Sequence, residues 1–325
     1  MRTRLPSGDL RTLKIEKEIA IRKKSKKRME GIEKDKQARK HVSGKLWKTG
    51  IGQSEEEIKK RVEEAGLADK VNQTVINRML YKKSLHEFTK QFWGYAESKE
   101  YINGWHIEVL QEHLEEVSKG NILRLIINMP PRHMKSLGIS VFWMCWDWLS
   151  HPERQFLFSS YAHNLSIRDN VKAKRIVSSN EYLSCVRTFH PKFDFTEDVN
   201  NRIKFDNTCG GYRMATSVGG MLTGEGGDII VIDDPHNVKD IENKSAREVV
   251  HNWWNDSMSN RLNIKDGAFV IVMHRLHQGD LCGHVLKEDD EGWVTLCLPA
   301  RYEGKTWVSP TLGVKDPRMT KGEPL

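Results

Sequence analysis

The sequence predicts an α/β fold in which a mostly parallel central sheet is flanked by helices. From residue 122 onward, short apolar runs alternate with helical stretches, which is typical of such a sheet. One of these runs is followed by a Lys-Ser pair at 135–136, which suits a phosphate ligand, and another ends in two adjacent aspartates at 233–234, which suit a metal ion. Because ligands of open α/β sheets bind at the carboxyl ends of the strands, these two runs mark the candidate site.

Hydrophobic periodicity and turn residues predict the elements in chain order. Residues 84–118 are predicted to form one or two amphipathic helices. Strands are predicted at 122–129, 154–160, 202–207, 211–217, 227–234 and 268–273. Helices are predicted at 135–149 and 164–179. The third and fourth strands are close enough to form a hairpin, and the last two are apolar enough to be buried on both faces.

The chain divides at about residue 75, between a charged extension over residues 1–75 and a folded domain over residues 76–325. Residues 1–48 carry 17 Lys and Arg against 6 Asp and Glu, whereas the remaining residues carry 35 against 38. The net charge of +8 therefore belongs to the extension. This basic, helical or disordered extension is either a solvated tail or an arm attracted to nucleic-acid phosphates.

Composition excludes several classes of protein. No apolar stretch approaches the roughly 20 residues that a membrane span needs, and the start of the chain lacks the apolar block of a secretion signal. The five cysteines lie far apart without a CxxC pair, which argues against a zinc ribbon or a disulfide framework and for a reducing compartment. We therefore expect no membrane partner.

The stretch PPRHMKS has the order of a phosphate-binding loop, which needs a buried strand, a tight loop of backbone N–H groups and a helix N-terminus. Lys135 would reach the β- and γ-phosphates of a nucleotide, and the Ser136 hydroxyl would bind Mg²⁺. Alternatively, the two residues merely begin a helix after two prolines. Met129 and Met134 stand where such a loop usually has glycine, so we expect a loop that does not depend on glycine.

The run GDIIVIDDPHN supplies the second half of the predicted site. Four apolar residues precede Asp233 and Asp234, about 100 residues after the loop. Asp233 would hold Mg²⁺, usually through water, and Asp234 would polarise the attacking water. A strand followed by an ordinary Asp-Pro turn is the alternative. Strand, loop and paired carboxylates in this order favour a nucleoside triphosphatase.

Several stretches together resemble the large subunit of tailed-bacteriophage terminase, and the resemblance covers roughly residues 85–325. They are NILRLIINMPPRHMKS, FLFSSYAHNLSIRDN, GGMLTGEGGDIIVIDDPHN, SAREVVHNWWNDSMSNRL and IVMHRLHQGDLCGHVL. The resemblance implies an ASCE-type P-loop ATPase, which in the family is followed by an RNase H-like nuclease. Because the chain ends near the point where the family's ATPase domain ends, we expect no nuclease domain and no DNA cleavage by this chain alone.

The resemblance also implies roles for individual residues. It makes Arg132 the characteristic early basic residue of a deviant Walker A motif, and Asp233 and Asp234 the metal-binding and catalytic carboxylates. The nucleotide-binding loop is then Pro131, Arg132, His133, Met134, Lys135 and Ser136. The coupling motif, which links hydrolysis to DNA movement, is Met273, His274 and Arg275. The family contacts adenine within residues 104–114, where His106 and Gln111 are candidates.

By the same resemblance, the expected function is an ATP-hydrolysing motor that moves double-stranded DNA into the procapsid, with ATP and Mg²⁺ as cofactors. The implied partners are viral DNA, the portal protein, the terminase small subunit and further copies of the chain in a ring. The implied location is the bacterial host cytoplasm, transiently at the portal. Two alternatives stay open: a catalytically weak DNA-binding or capsid-docking remnant, motivated by Met134, and a helicase-like DNA translocase.

Three other features are expected to have ordinary roles. His274, His277, Cys282 and His284 cluster in the sequence but lack the paired spacing of a zinc site. Trp143, Trp146 and Trp148 are expected to pack in the core. The glycines of GGMLTGEGG form either a mobile loop facing DNA or nucleotide, or a plain connection before a strand.

We predict that Asp234 is needed for hydrolysis more than for binding, because it lies beside the metal-binding aspartate, where it can orient water. Asp234→Asn should leave nucleotide affinity within a few-fold of the parent while turnover collapses. Equilibrium ATP binding and steady-state hydrolysis measure the two effects separately. Equal losses of both would show that the roles of Asp233 and Asp234 are reversed or wrong.

Overall fold

The computed structural model describes residues 60, 73–220, 224–288, 292–305, 308–309 and 311–325. The charged extension predicted over residues 1–75 lies almost wholly outside these residues, so its two interpretations stay predictions. The compact unit that carries the sheet begins at Gln73. Within the described ranges, none of the helices combines the length and the hydrophobicity of a membrane span.

The described chain alternates between helices and strands. The helices are α1 (Gln73–Lys83), α2 (Leu85–Ala96), α3 (Trp105–Ser118), α4 (Lys135–Leu137), α5 (Met144–Asp147), α6 (His163–Val177), α7 (Asn180–Phe189), α8 (Lys244–Trp253) and α9 (Leu281–Glu288). The strands are β1 (Arg124–Asn128), β2 (Phe156–Ser160), β3 (Phe195–Asn200), β4 (Lys204–Asn207), β5 (Tyr212–Ser217), β6 (Ile229–Asp233), β7 (Ala268–Met273) and β8 (Val294–Cys297). Two π-helical segments, Gly138–Trp143 and Trp254–Met258, join α4 to α5 and extend α8.

The strands form one sheet in the order β3-β4-β5-β2-β6-β7-β1-β8. In this sheet order, every pair of neighbouring strands from β5 through β2, β6, β7 and β1 to β8 is parallel. Strand β4 is antiparallel to both β3 and β5. Ser160 lies opposite Asp233, Asp233 opposite Val272, and Asn128 opposite Met273. The carboxyl ends of β2, β6, β7 and β1 therefore meet at one edge of the sheet. The predicted α/β fold class is confirmed.

Both faces of the central strands are buried, which explains their nearly unbroken apolar sequences. In β1, Leu125 and Ile127 join one hydrophobic cluster, whereas Ile126 joins another. This alternation follows from the period of two along a strand. Residues of α2, α3, α6 and α7 cover the first face, and residues of α8 and α9 cover the second. The sheet is thus the middle layer of three.

The predicted hairpin is present, because β4 and β5 are antiparallel neighbours with Phe205 opposite Arg213. The region 84–118 forms two helices, and the helix predicted over 135–149 contains the π-helical segment. The hydrophobic pattern does not predict β3, β8, α7, α8 or α9. Both missing strands lie at edges of the sheet, where a strand has only one neighbour and needs fewer apolar residues. All five cysteines are free.

The C-terminal segment contains a buried ion pair and contacts α3 through Arg318 and Ser309. Arg318 and Asp316 pair at 2.7 Å with side chains only 2% and 1% exposed. The guanidinium also donates to the Pro299 carbonyl at 2.9 Å and lies 5.5 Å from the centre of the Trp105 ring. His113 of α3 contacts the Ser309 hydroxyl at 2.8 Å. The segment after β8 is therefore part of the folded domain.

Removing the charge of Asp316 should strongly destabilise this domain, because Arg318 would then be buried without a counter-charge. Asp316→Asn is expected to lower the free energy of unfolding by about 3–5 kcal/mol. The matched control is Glu248→Gln, which breaks the exposed Lys244–Glu248 pair of α8 and should cost less than about 1 kcal/mol. Urea unfolding measures both, and equal losses would contradict the structural role of the buried pair.

Candidate nucleotide-binding site

The loop between β1 and α4 has an unusual backbone conformation. Arg132 has φ 68°, and Met134, the residue before Lys135, has φ 62° and ψ 8°. In the part of the chain that the structure describes, Asp234 with φ 45° is the third and last non-glycine residue with positive φ. A non-glycine residue in the left-handed region costs roughly 1–2 kcal/mol, and such strain clusters at functional sites.

These angles bear on the expectation that the loop does not depend on glycine. Met134 takes up the left-handed conformation that glycine favours, but with a methionine side chain. The Met134 side chain packs against the larger hydrophobic cluster, and this packing offsets part of the strain. The loop thus keeps the glycine-like backbone at this position without the glycine.

Lys135 crosses the edge of the sheet to reach the second half of the site. Its ammonium group forms an ion pair with Oδ2 of Asp234, although 99 residues separate the two along the chain. The Lys135 side chain is 6% exposed, whereas that of Asp234 is 45% exposed. A buried ammonium needs an anionic partner, and here that partner is itself open to solvent. An incoming phosphate can therefore compete with Asp234 for the lysine.

Asp233 ends β6 as a buried carboxylate with one oxygen in use. Oδ2 accepts a hydrogen bond from the Ser140 hydroxyl at 3.0 Å, whereas Oδ1 is buried without a hydrogen-bond partner. Burial and the neighbouring Asp234 carboxylate together raise the pKa of Asp233 to about 6, against the opposing effects of Lys135 and Ser136. An unpartnered buried carboxylate oxygen near a hydroxyl fits the oxygen ligands that Mg²⁺ prefers. Asp233 and Ser136 are thus the residues that would hold the ion.

Asp234 connects the loop to the predicted coupling motif. Its Oδ1 accepts a hydrogen bond from the backbone N–H of His274 at 3.0 Å, while Oδ2 faces Lys135. Its own backbone N–H donates to the carbonyl of Val272 at 2.8 Å. These bonds tie Asp234, which follows β6, to the end of β7 and to the lysine that follows β1. A change in the position of Lys135 would therefore alter the contacts of Asp234 with the residues at the end of β7.

The three predicted coupling residues lie in different environments. Met273 is buried at the end of β7, and His274 is exposed. The guanidinium of Arg275 pairs with Asp280 at 2.8 Å, and Asp280 is fully buried at the start of α9. Asp280 also accepts the backbone N–H of Gly283 at 3.0 Å. The segment after β7 is therefore anchored to α9.

The other loop residues lie at the mouth of the site. Arg132 is exposed, and the His133 ring contacts the carbonyl of Pro131 at 2.9 Å. The His106 ring lies 5.6 Å from that of His133, and burial lowers the pKa of His106 to about 4. Gln111, the second adenine candidate, is buried and donates to Thr89 within the packing of α2 and α3. Of the two candidates, the structure brings His106 to the loop.

Sequence reasoning misses Ser140 and Arg213. Ser140 follows Ser136 by four residues, and this helical spacing is the only signal in the sequence that could have found it. Arg213 of β5 is fully buried and donates to the backbone carbonyl of Ser140. A charged residue in a strand gives no sign that it will be covered, so tertiary structure alone reveals it.

The features expected to have ordinary roles are placed as follows. Among the residues that the structure describes, no group of three or more His, Cys, Asp or Glu could hold a metal ion. His284 stacks on His251, with ring centres 4.1 Å apart. Trp143 and Trp148 are fully buried, and Trp146 is 7% exposed. Part of the glycine-rich loop, residues 221–223, lies outside the described residues.

Fold and site together define an α/β fold with a mostly parallel central sheet flanked by helices and a candidate nucleotide site at the carboxyl edge of that sheet. The fold resembles that of bacteriophage large terminases. The HK97 bacteriophage large terminase matches with 11% identity over 64% of this chain and 42% of that chain, at a TM-score of 0.41. A Thermus phage large terminase ATPase domain matches with 10% identity over 56% of this chain and 68% of that chain, at a TM-score of 0.38.

A third match is the large terminase of a thermophilic bacteriophage in complex with ADP, with 11% identity over 57% of this chain and 44% of that chain, at a TM-score of 0.35. This chain thus matches less than half of the HK97 enzyme and of the ADP-bound enzyme. No protein-family model and no curated protein matches the chain. At this level of identity the likeness concerns the fold alone.

Two substitutions at position 134 separate backbone strain from side-chain packing. Met134→Ala removes the packing and keeps the left-handed strain, whereas Met134→Gly relieves the strain as well. The glycine variant should therefore be more stable than the alanine variant by about 1 kcal/mol. It should bind ATP as tightly as the parent or up to about tenfold more tightly. Urea unfolding and fluorescent-nucleotide titration measure these effects. Equal stabilities would show that the strain at this position is negligible.

Proposed function

We propose that this chain is the ATP-hydrolysing motor subunit of a viral terminase that moves double-stranded DNA into the procapsid. The observation that carries the proposal is the ion pair between Lys135 and Asp234, which joins the phosphate-loop lysine to the catalytic carboxylate across the edge of the sheet. An ordinary helix start would not require a buried lysine at this position. Asp233, with its unpartnered oxygen, lies beside the pair.

The geometry suggests how these residues act on ATP. Lys135 leaves Asp234 and binds the β- and γ-phosphates, since a polyphosphate offers it more negative charge than one carboxylate. Asp234, released from the lysine, orients the attacking water. Ser136 and Asp233 would hold Mg²⁺, which when bound would supply positive charge to the phosphates. Exposed Arg132 lies in the same loop, where it would stabilise negative charge that develops on the phosphates.

Movement would be coupled to hydrolysis through Asp234. Its Oδ1 holds the backbone of His274, so a change in the partners of the carboxylate shifts the segment from Met273 to Arg275. The Arg275–Asp280 ion pair passes that shift to α9. We propose that this segment acts on double-stranded DNA. The further partners proposed are the portal protein, the small subunit and other copies of the chain in a ring at the procapsid, in the host cytoplasm.

A catalytically weak remnant is the second candidate, because two residues of the loop are strained. Arg132 and Met134 both have positive φ, and a loop that relaxes away from this conformation would present its N–H groups poorly to phosphate. Steady-state ATP hydrolysis with and without intact duplex DNA separates the candidates. Turnover stimulated by duplex favours the motor, and nucleotide binding without turnover favours the remnant. Unwinding of a forked duplex would favour the helicase-like translocase.

The test of the site itself is Lys135→Ala. This variant should lose ATP binding or hydrolysis outright, because Lys135 is the only buried lysine among the residues that the structure describes. The matched control is Lys244→Ala, which removes an 82% exposed lysine of α8 and should leave both activities unchanged. Fluorescent-nucleotide titration and phosphate release measure them. Normal binding and hydrolysis by Lys135→Ala would mean that PPRHMKS is only a helix start, and the motor proposal would fall.

A further inference from the structure

We infer that Ser140 is a positioning residue that orients the Asp233 carboxylate and so reserves one of its oxygens for the Mg²⁺ ion of the bound nucleotide. This inference rests on the proposed nucleotide site and adds a residue that neither the sequence motifs nor the family resemblance assigns. It concerns how the metal is held, and it leaves the roles of Lys135 and Asp234 unchanged.

The contact between Ser140 and Asp233 distinguishes the two carboxylate oxygens. The Ser140 hydroxyl donates to Oδ2 at 3.0 Å, and both residues are buried, at 3% and 8% exposure. Oδ1 is buried without a hydrogen-bond partner. A carboxylate can turn about its last bond and exchange its oxygens, unless a donor holds one of them. With Ser140 as that donor, Oδ1 is the oxygen left for a cation.

The position of Ser140 on its helix explains how it reaches Asp233. Ser140 lies within the π-helical segment Gly138–Trp143, one turn after Ser136. Residues four apart lie on the same helix face, so both hydroxyls are directed to the end of β6. Single π-turns inside α-helices are often found at functional sites, because they shift the side chains that follow. Ser136 is thus left to bind the metal, while Ser140 holds the carboxylate.

Arg213 of β5 holds the backbone of Ser140 through a hydrogen bond. Its guanidinium is fully buried, donates from Nη2 to the Ser140 carbonyl and lies 3.6 Å from the centre of the Phe158 ring. Its Nε and Nη1 have no hydrogen-bond partner, and burial lowers the pKa of the side chain to about 10. Burying a guanidinium with so few bonds is costly, and its one hydrogen bond goes to the residue that orients Asp233. This contact fixes Ser140 with respect to β5.

A purely structural role is the competing explanation for the Ser140–Asp233 bond. In that case the hydroxyl would only satisfy a buried carboxylate, and its loss would lower stability without a specific effect on metal binding. A positioning role predicts a selective effect, because partners that orient a metal ligand typically contribute about 10- to 100-fold to metal affinity. Metal affinity and metal-free nucleotide affinity therefore have to be measured separately.

The test compares Ser140→Ala with Ser159→Ala in the full chain. Ser159 is a suitable control because its hydroxyl is buried in β2 without a hydrogen-bond partner. The affinity of the ADP-bound protein for Mn²⁺ is measured by electron paramagnetic resonance, and ADP affinity by calorimetry in EDTA. Ser140→Ala should weaken Mn²⁺ binding by about 10- to 100-fold and leave metal-free ADP affinity within about twofold. Ser159→Ala should change neither.

The outcomes are distinct. If the unaltered chain does not bind ADP, the proposed function fails. If it binds ADP and Mn²⁺ but Ser140→Ala matches Ser159→Ala in Mn²⁺ affinity, the inference about Ser140 is overturned and the proposed function stands. Equal losses of ADP and Mn²⁺ affinity also overturn it. Thermal unfolding shows whether each variant folds. Ser140→Cys keeps the side-chain volume with a weaker donor, so it repeats the test if Ser140→Ala unfolds.

Discussion

The ion pair between Lys135 and Asp234 is the contact on which the candidate site depends. Lys135 follows β1 and Asp234 follows β6, and β7 lies between these two strands in the sheet. The lysine must therefore extend across the end of β7 to reach the carboxylate. That reach is possible only because the parallel strands end at one edge and the loop turns Lys135 inward. This one ion pair therefore depends on the sheet order, the strand register and the loop conformation together.

Electrostatics decide what this edge can bind. Lys135 and Arg132 supply two positive charges, and Asp233 and Asp234 supply two negative charges when ionised, so these residues together leave the charge of a bound polyphosphate uncompensated. A cation that accompanies the phosphate would compensate it, and Oδ1 of Asp233, which has no hydrogen-bond partner, could ligate such a cation. Burial and the adjacent Asp234 raise the pKa of Asp233, so a nearby positive charge would favour its ionised form. The proposed site would therefore suit a metal–nucleotide complex better than free phosphate.

Strain and buried polar contacts support this arrangement. Arg132, Met134 and Asp234 hold positive φ angles at the same edge, and such angles persist only where the surrounding structure determines them. Packing of Met134 against the core and the hydrogen bonds of Asp234 supply that support. Ser140 also donates a hydrogen bond to Asp233, and Arg213 donates one to the backbone of Ser140. A strained loop backed by buried polar bonds has its geometry set before any ligand binds.

The sequence by itself determined the fold class and the order in which strand, loop and paired aspartates follow one another along the chain. Apolar runs and the residues that end them are local properties. The predicted strands around 122–129, 227–234 and 268–273 and the residues after them could be read directly, since buried parallel strands carry unbroken apolar sequences. Only the tertiary structure decided the left-handed backbone of Met134, the edge strands β3 and β8, and the burial of Arg213 beneath Ser140. These features depend on contacts between residues far apart in the chain, and a local pattern carries no record of such contacts.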